Sequence, residues 1–92
     1  MPLLSDQQIT SGLEGLEAWE RDGDSLRREF GFDDFVGSVE FVKRLTPVAE
    51  EMGHHPDLAI SWNKVTVSVS THSEGGITDS DLELAGRLDR LA

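Results

Sequence analysis

Apolar residues recur along this chain at steps of three and four in some stretches and at steps of two in others. Near the amino end, Ser5 and Gln8 form a capping box, and the apolar residues that follow at helical spacing predict a first helix over residues 5–14. A longer stripe of the same kind predicts a central helix, which Asp33 or Asp34 caps. The stripe comprises Phe35, Val39, Val42, Leu45, Ala49 and Met52.

Pro47 lies inside the central stripe, and Gly53 and Pro56 follow it. Because proline lacks an amide hydrogen and crowds the carbonyl four residues earlier, we expect a kink at Pro47. Gly53 suits the left-handed conformation of a helix cap, and Pro56 pushes His55 towards an extended backbone. The central helix is therefore predicted to stop at Gly53.

Alternating patterns on either side of the central helix predict four strands. Within residues 17–32, two short strands flank a tight hairpin turn at Gly23. Residues 58–62 and 64–71 form a second pair, with a turn at Asn63. The valines of the last strand, Val65, Val67 and Val69, face one side.

A second capping box, formed by Thr78 and Asp81, opens a last helix. Its predicted buried positions are Leu82, Ala85, Leu88 and Leu91. Since short turns join the paired strands, the sheet should be antiparallel. We expect an α+β two-layer sandwich of order α-β-β-α-β-β-α, with a four-stranded antiparallel sheet and three helices on one face. The other face, or the edge strand, is left for a partner subunit.

Composition narrows the function classes. Ninety-two residues without a linker or repeat indicate a single domain, residues 1–92. Eighteen acidic and eight basic residues give a formal net charge of −10, which disfavours nucleic-acid binding. No apolar run approaches the ~18 residues of a membrane-spanning helix, and no signal-peptide pattern is visible. We expect a cytoplasmic protein with no nucleic-acid or membrane partner, and the lack of cysteine removes thiol chemistry.

The three histidines of the chain all lie between residues 54 and 72. Glu50 precedes His54 by four residues, so the spacing predicts that its carboxylate accepts the imidazole N–H of His54. His55 is adjacent and points elsewhere, and His72 closes the last strand. Because imidazole titrates near neutral pH, three such rings beside a carboxylate are suited to proton transfer.

Each candidate also has a structural interpretation. A histidine at a helix end can interact with the helix dipole, Glu50 can be a solvated surface residue, and Asp81 can serve only as a helix cap. Trp19 and Trp62 are more often core or sheet-face aromatics than ligand platforms. Zinc binding is the second chemical hypothesis, but adjacent histidines followed by proline lack the i, i+4 spacing of helical zinc ligands.

The chain carries a spaced set of residues, Glu50-x-x-x-His54-His55-Pro56, Trp62, His72 and Asp81. This set resembles the signature of the pterin-4a-carbinolamine dehydratase family, and the flanking segments extend the resemblance over nearly the full length. The resemblance implies an α+β fold and homodimers that continue the sheet, sometimes paired into homotetramers. It also implies removal of water from 4a-hydroxytetrahydropterin to give quinonoid dihydropterin, a step in tetrahydropterin recycling.

Positions carried over from the family imply roles for individual residues. His54 and His72 would form the acid–base pair, Glu50 would orient His54, and His55 would hold the pterin. The implied substrate-binding residues are Trp19, Gly53, Ser70, Thr71 and Asp81. The reaction needs no metal and no redox cofactor, so a pterin substrate is the small-molecule partner that the resemblance implies.

Three positions depart from the family pattern: Pro47, Leu58 and Ser80. None of them is a proton-transfer group, although Pro47 could shift Glu50 relative to His54. Two other functions stay open from the residues alone. One is a non-catalytic dimerisation module of the transcriptional coactivator type, and the other is a different pterin-handling role such as molybdopterin metabolism.

Overall fold

The computed structural model describes residues 2–92. Its elements are α1 (Asp6–Gly12), a single 3₁₀ turn (Leu13–Gly15), β1 (Glu20–Asp22), β2 (Ser25–Gly31), α2 (Phe35–Met52), β3 (Asp57–Ser61), β4 (Lys64–Val69) and α3 (Asp79–Asp89). The order α-β-β-α-β-β-α is the predicted one, and the α+β class is confirmed.

All four strands form one antiparallel sheet of order β1-β2-β4-β3. The central strand β4 pairs with β2, where Phe30 lies opposite Val65, and with β3, where Leu58 lies opposite Val67. The β1–β2 hairpin turns at Gly23, whose φ of 61° is in the left-handed region. Edge strand β3 is exposed along its whole length.

Three helices cover one face of the sheet and enclose the core. The valines of β4, and Leu26 and Phe30 on β2, are at most 1% exposed. Phe30 of β2 stacks on Phe41 of α2 with ring centroids 4.6 Å apart. Burial of a side chain of this size contributes about 1.5–3 kcal/mol. The other face of the sheet carries polar residues, because side chains alternate along each strand.

Two predicted helix features differ in detail from the structure. Helix α2 runs without interruption through Pro47 to Met52. On α3 the fully buried apolar residues are Leu84, Ala85 and Leu88, while Leu82 packs against the edge of the core. The prediction missed Leu84 because α3 packs on both the sheet and α2. The buried stripe of this helix is therefore wider than one row of side chains. No helix within residues 2–92 is long and apolar enough to cross a membrane.

Candidate functional site

The end of α2 sets the direction of the first histidine. Gly53 caps the helix with φ 61° and ψ 30°, and its amide hydrogen bonds to carbonyls of the last turn. The amide of His54 reaches back to the carbonyl of Ala49 at 3.1 Å. This left-handed cap is a conformation that glycine adopts without a steric penalty. The chain therefore leaves the helical path at Gly53 and turns His54 towards the amino end of α3.

Asp81 is a fully buried carboxylate, with 0% exposure, in the first turn of α3. Its Oδ1 lies 2.6 Å from Nε2 of His54. Its Oδ2 accepts hydrogen bonds from the hydroxyl of Thr71 and from the amide of Thr78, both at 2.9 Å. Burying a carboxylate is costly unless it is hydrogen-bonded, and these three contacts provide the compensation.

The contact with Asp81 also determines which nitrogen of His54 is available. Against an ionised Asp81, which only accepts hydrogen bonds, Nε2 of His54 carries the hydrogen and Nδ1 takes no part in this contact. The side chain of His54 is only 14% exposed, which restricts its rotation.

Glu50 contacts His55, and the predicted pairing of Glu50 with His54 is wrong. A spacing of four residues places two side chains on one face only where the helical path extends through both of them. Because Gly53 ends the helix, His54 leaves the face that carries Glu50, and His55 takes its place. Both members of the Glu50–His55 pair are more than 60% exposed, so this pair is strongly solvated.

His72 lies beyond the end of β4 and is 76% exposed. Its Nε2 is 3.8 Å from Oδ2 of Asp57, the first residue of β3. A cavity of about 390 Å³ opens beside it, lined by Asp24, Ser25, Asp57, Ser68, Ser70, His72, Gly75 and Gly76. Of the predicted site residues, Ser70 and His72 line this cavity, while His54 and His55 lie outside the lining.

Thr71 joins the two parts of the candidate site. Its side chain is buried and donates to Asp81, and its hydroxyl lies 2.8 Å from that of Thr78. The next residue along the chain is His72, which opens onto the cavity. One short segment therefore connects the His54–Asp81 pair with the cavity. The backbone of Thr71 is held in turn by a bridge to Gly76.

Trp19 lies in the core, where its indole N–H donates to Asp89 at 2.7 Å and its ring meets the edge of Phe30. Asp89 and Asp81 are at opposite ends of α3, about 12 Å apart along the helix axis. The expectation that Trp19 walls the site is therefore not met within this chain, and its core interpretation describes its contacts. Trp62, by contrast, is 67% exposed.

The cap interpretation of Asp81 is correct but incomplete. The capping box of Thr78 and Asp81 is present, and the same carboxylate also binds His54. Sequence reasoning missed Asp24 and Asp57 as cavity residues. An acidic residue directly after His-His-Pro was a signal for Asp57, whereas only the sheet register places Asp24 nearby. Within residues 2–92, no three His, Cys, Asp or Glu side chains are grouped as metal ligands.

The structure is a small α+β domain in which each of the three histidines lies 3.8 Å or less from a carboxylate oxygen. The chain belongs to the pterin 4 alpha carbinolamine dehydratase family, whose model matches residues 2–91. A relative from Mycobacteroides abscessus, provisionally named a pterin-4-alpha-carbinolamine dehydratase, is 53% identical over 97% of this chain and 95% of its own length.

Solved structures show the same architecture. A transcriptional coactivator/pterin dehydratase from Brucella melitensis superposes with a TM-score of 0.94 at 29% identity, covering 98% of both chains. A pterin dehydratase-like protein, described as a RuBisCO assembly factor of the alpha-carboxysome, superposes with a TM-score of 0.70 at 23% identity. The superposition covers 82% of this chain and 89% of the other, and the similarity is one of fold alone.

Proposed function

We propose that this chain removes water from a 4a-hydroxytetrahydropterin and releases the quinonoid dihydropterin, as a step of tetrahydropterin recycling. Membership of the dehydratase family supports the reaction class. The observation that carries the proposal is the buried Asp81 carboxylate on Nε2 of His54, because it leaves one imidazole nitrogen oriented for proton transfer.

The reaction needs one proton donor and one proton acceptor. The hydroxyl on C4a accepts a proton and departs as water, N5 gives up its hydrogen, and a C4a–N5 double bond forms. Electrons are neither gained nor lost by the pterin. Two imidazoles around neutral pH can supply both transfers, since each is able to donate or accept.

His54 and His72 are the proposed acid–base pair, one for the departing hydroxyl and one for N5. Asp81 replaces Glu50 as the residue that orients His54, because it makes the contact that Glu50 was expected to make. His55, paired with Glu50, is the proposed pterin-holding residue. Gly53, Ser70 and Thr71 complete the proposed binding region. Thr71 shapes this region from behind, since its hydroxyl donates to Asp81 and its amide and carbonyl are hydrogen-bonded within the turn that ends at Gly76.

Replacing His54 or His72 by alanine tests this proposal. Each positioned acid or base contributes about 10²–10⁴-fold, so each variant should lose at least an order of magnitude in kcat for dehydration of the 4a-hydroxypterin. Circular dichroism should show an intact fold, because the His72 ring is exposed and Asp81 keeps its hydrogen bonds from Thr71 and Thr78 when the His54 ring is removed. If the double alanine variant dehydrates the pterin as fast as the parent, the function is refuted.

A non-catalytic interaction module is the second candidate. The Brucella melitensis protein is described both as a coactivator and as a dehydratase, which favours this alternative. Co-purification with mass spectrometry separates the two. A stoichiometric protein partner without any dehydratase rate would favour the interaction module, and a dehydratase rate that depends on His54 and His72 would favour the enzyme.

We further propose that the chain forms homodimers or homotetramers through exposed apolar surface. Edge strand β3 has one unpaired side, and its Leu58 and Ile60 are 38% and 42% exposed. Exposed strand edges of this kind pair readily with another strand. Phe35 and Val36, at the start of α2, are further exposed apolar residues.

A further inference from the structure

The cavity beside His72 is lined by polar residues of one charge sign. Two carboxylates, Asp24 and Asp57, three serines and the backbone of two glycines surround the imidazole. No lysine or arginine is part of the lining. A ligand of this cavity therefore meets acceptors and hydroxyl groups, and it meets no permanent cation.

The fold places the two carboxylates on opposite sides of β4. Asp24 lies in the hairpin turn directly before β2, and Asp57 opens β3 opposite Ser68. Strands β2 and β3 each neighbour β4, so they are about 10 Å apart. The distance suits a ligand chain that lies over the end of β4 between the two carboxylates.

One cation, Arg27, stands outside the lining in the same row of the sheet as Ser68 and Asp57. Arg27 of β2 lies opposite Ser68 on one side and opposite Glu20 of β1 on the other. Glu20 thus offsets the positive charge of Arg27, and the field around the cavity stays negative. The net charge of −10 of the whole chain acts in the same direction.

The connectivity of a pterin ring keeps the start of its tail close to His72. The tail is attached to C6, which is bonded to N5, and N5 is bonded to C4a. Whichever of the two reacting positions His72 serves, the first atoms of the tail lie only two or three bonds away. A tail that starts this close to His72 is within reach of the cavity that His72 lines, between Asp24 and Asp57.

We propose that Asp24 and Asp57 make this cavity select pterins with an uncharged, hydroxylated tail over pterins whose tail ends in phosphate or carboxylate. The inference rests on the proposed function. Hydroxyl groups donate to the carboxylates and serines, whereas an anionic group is repelled and finds no cation in the lining. A doubly charged phosphate about 8 Å from one carboxylate would bind roughly twofold to fivefold more weakly, depending on salt.

Asp24→Asn tests the selection, because Asp24 is exposed and makes no contact with the histidines. Dehydration of two 4a-hydroxypterins, one with a dihydroxypropyl tail and one with a phosphate-ended tail, is measured at low and high salt. The variant should raise kcat/KM for the phosphate-ended pterin by about twofold to fivefold at low salt, and it should not raise kcat/KM for the dihydroxypropyl pterin, whose hydroxyl groups lose a charged acceptor. Glu14→Gln is the matched control, since it removes the same charge from the exposed 3₁₀ turn.

Equilibrium binding of the two corresponding dihydropterins keeps the inference separate from catalysis. Weaker binding of the phosphate-ended compound, relieved by Asp24→Asn, supports the selection. This holds even if neither the parent nor any variant dehydrates a pterin, because a lack of dehydration would refute only the proposed function. Equal binding of both compounds, or equal effects of Asp24→Asn and Glu14→Gln, overturns the selection. Failure of both compounds to bind overturns the inference and the function together.

Discussion

Asp81 shows how one buried carboxylate can serve both the fold and the chemistry. It caps α3 through Thr78, accepts from Thr71, and holds Nε2 of His54. Glu50, the residue expected to orient His54 from its spacing, instead contacts the exposed His55. Burial distinguishes the two carboxylates, since a contact shielded from water fixes a ring more firmly than a solvated one.

Asp81→Asn should therefore reduce kcat far more than Glu50→Gln does. The asparagine amide can donate to Nε2 of His54, which favours the wrong tautomer, and we expect a loss of roughly tenfold or more with an altered pH profile. Steady-state kinetics of both variants between pH 5 and 9 provide the measurement. A larger loss for Glu50→Gln would restore the assignment made from spacing alone.

At the level of the helix, Gly53 determines the position of His54, because it ends α2 and releases His54 from the helical path. An alanine there must adopt φ near 61°, so Gly53→Ala should lower the free energy of unfolding by about 1–2 kcal/mol. Urea denaturation measures this change. Activity should fall as well, because the strained cap displaces His54.

Gly15→Ala is the control for this prediction. Gly15 lies in the 3₁₀ turn, has no positive φ, and leaves room for a methyl group. The free energy of unfolding of the Gly15→Ala variant should differ little from that of the parent protein. Equal losses for the two variants would mean that the left-handed cap does not set the stability of this region.

The strands show where local pattern is sufficient and where it is not. Alternation predicted β2 and β4 and the valines that face the helices, because period-two burial follows from the strand itself. The predicted ends of β3 and β4, at residues 62 and 71, lie beyond the observed ends at Ser61 and Val69. Trp62 adopts φ 51° and belongs to the turn, and Thr71 leaves the ladder to meet Asp81.

For the whole molecule, the proposed dimer gives a prediction at the edge of the sheet. Ile60→Lys places a charge on the exposed edge strand β3 and should convert the protein to monomers, because lysine opposes strand pairing. Light scattering coupled to size-exclusion chromatography measures the mass.

Thr10→Lys adds the same charge on the exposed side of α1 and should leave the mass unchanged. A parent protein that is monomeric, or a dimer that survives Ile60→Lys, would contradict pairing through β3. Because Ile60 is exposed and lies outside the core cluster, the monomeric variant should remain folded.

The sequence by itself determined the kinds and order of the elements and the candidate histidines, since periodicity, caps and turns act over a few neighbouring residues. It also carried the spaced residues that resemble the family. Only the tertiary structure decided which carboxylate meets which histidine. His54 and Asp81 are 27 residues apart, and they meet because α3 packs on the sheet beside the end of α2. Such contacts depend on how elements pack, which local spacing does not encode.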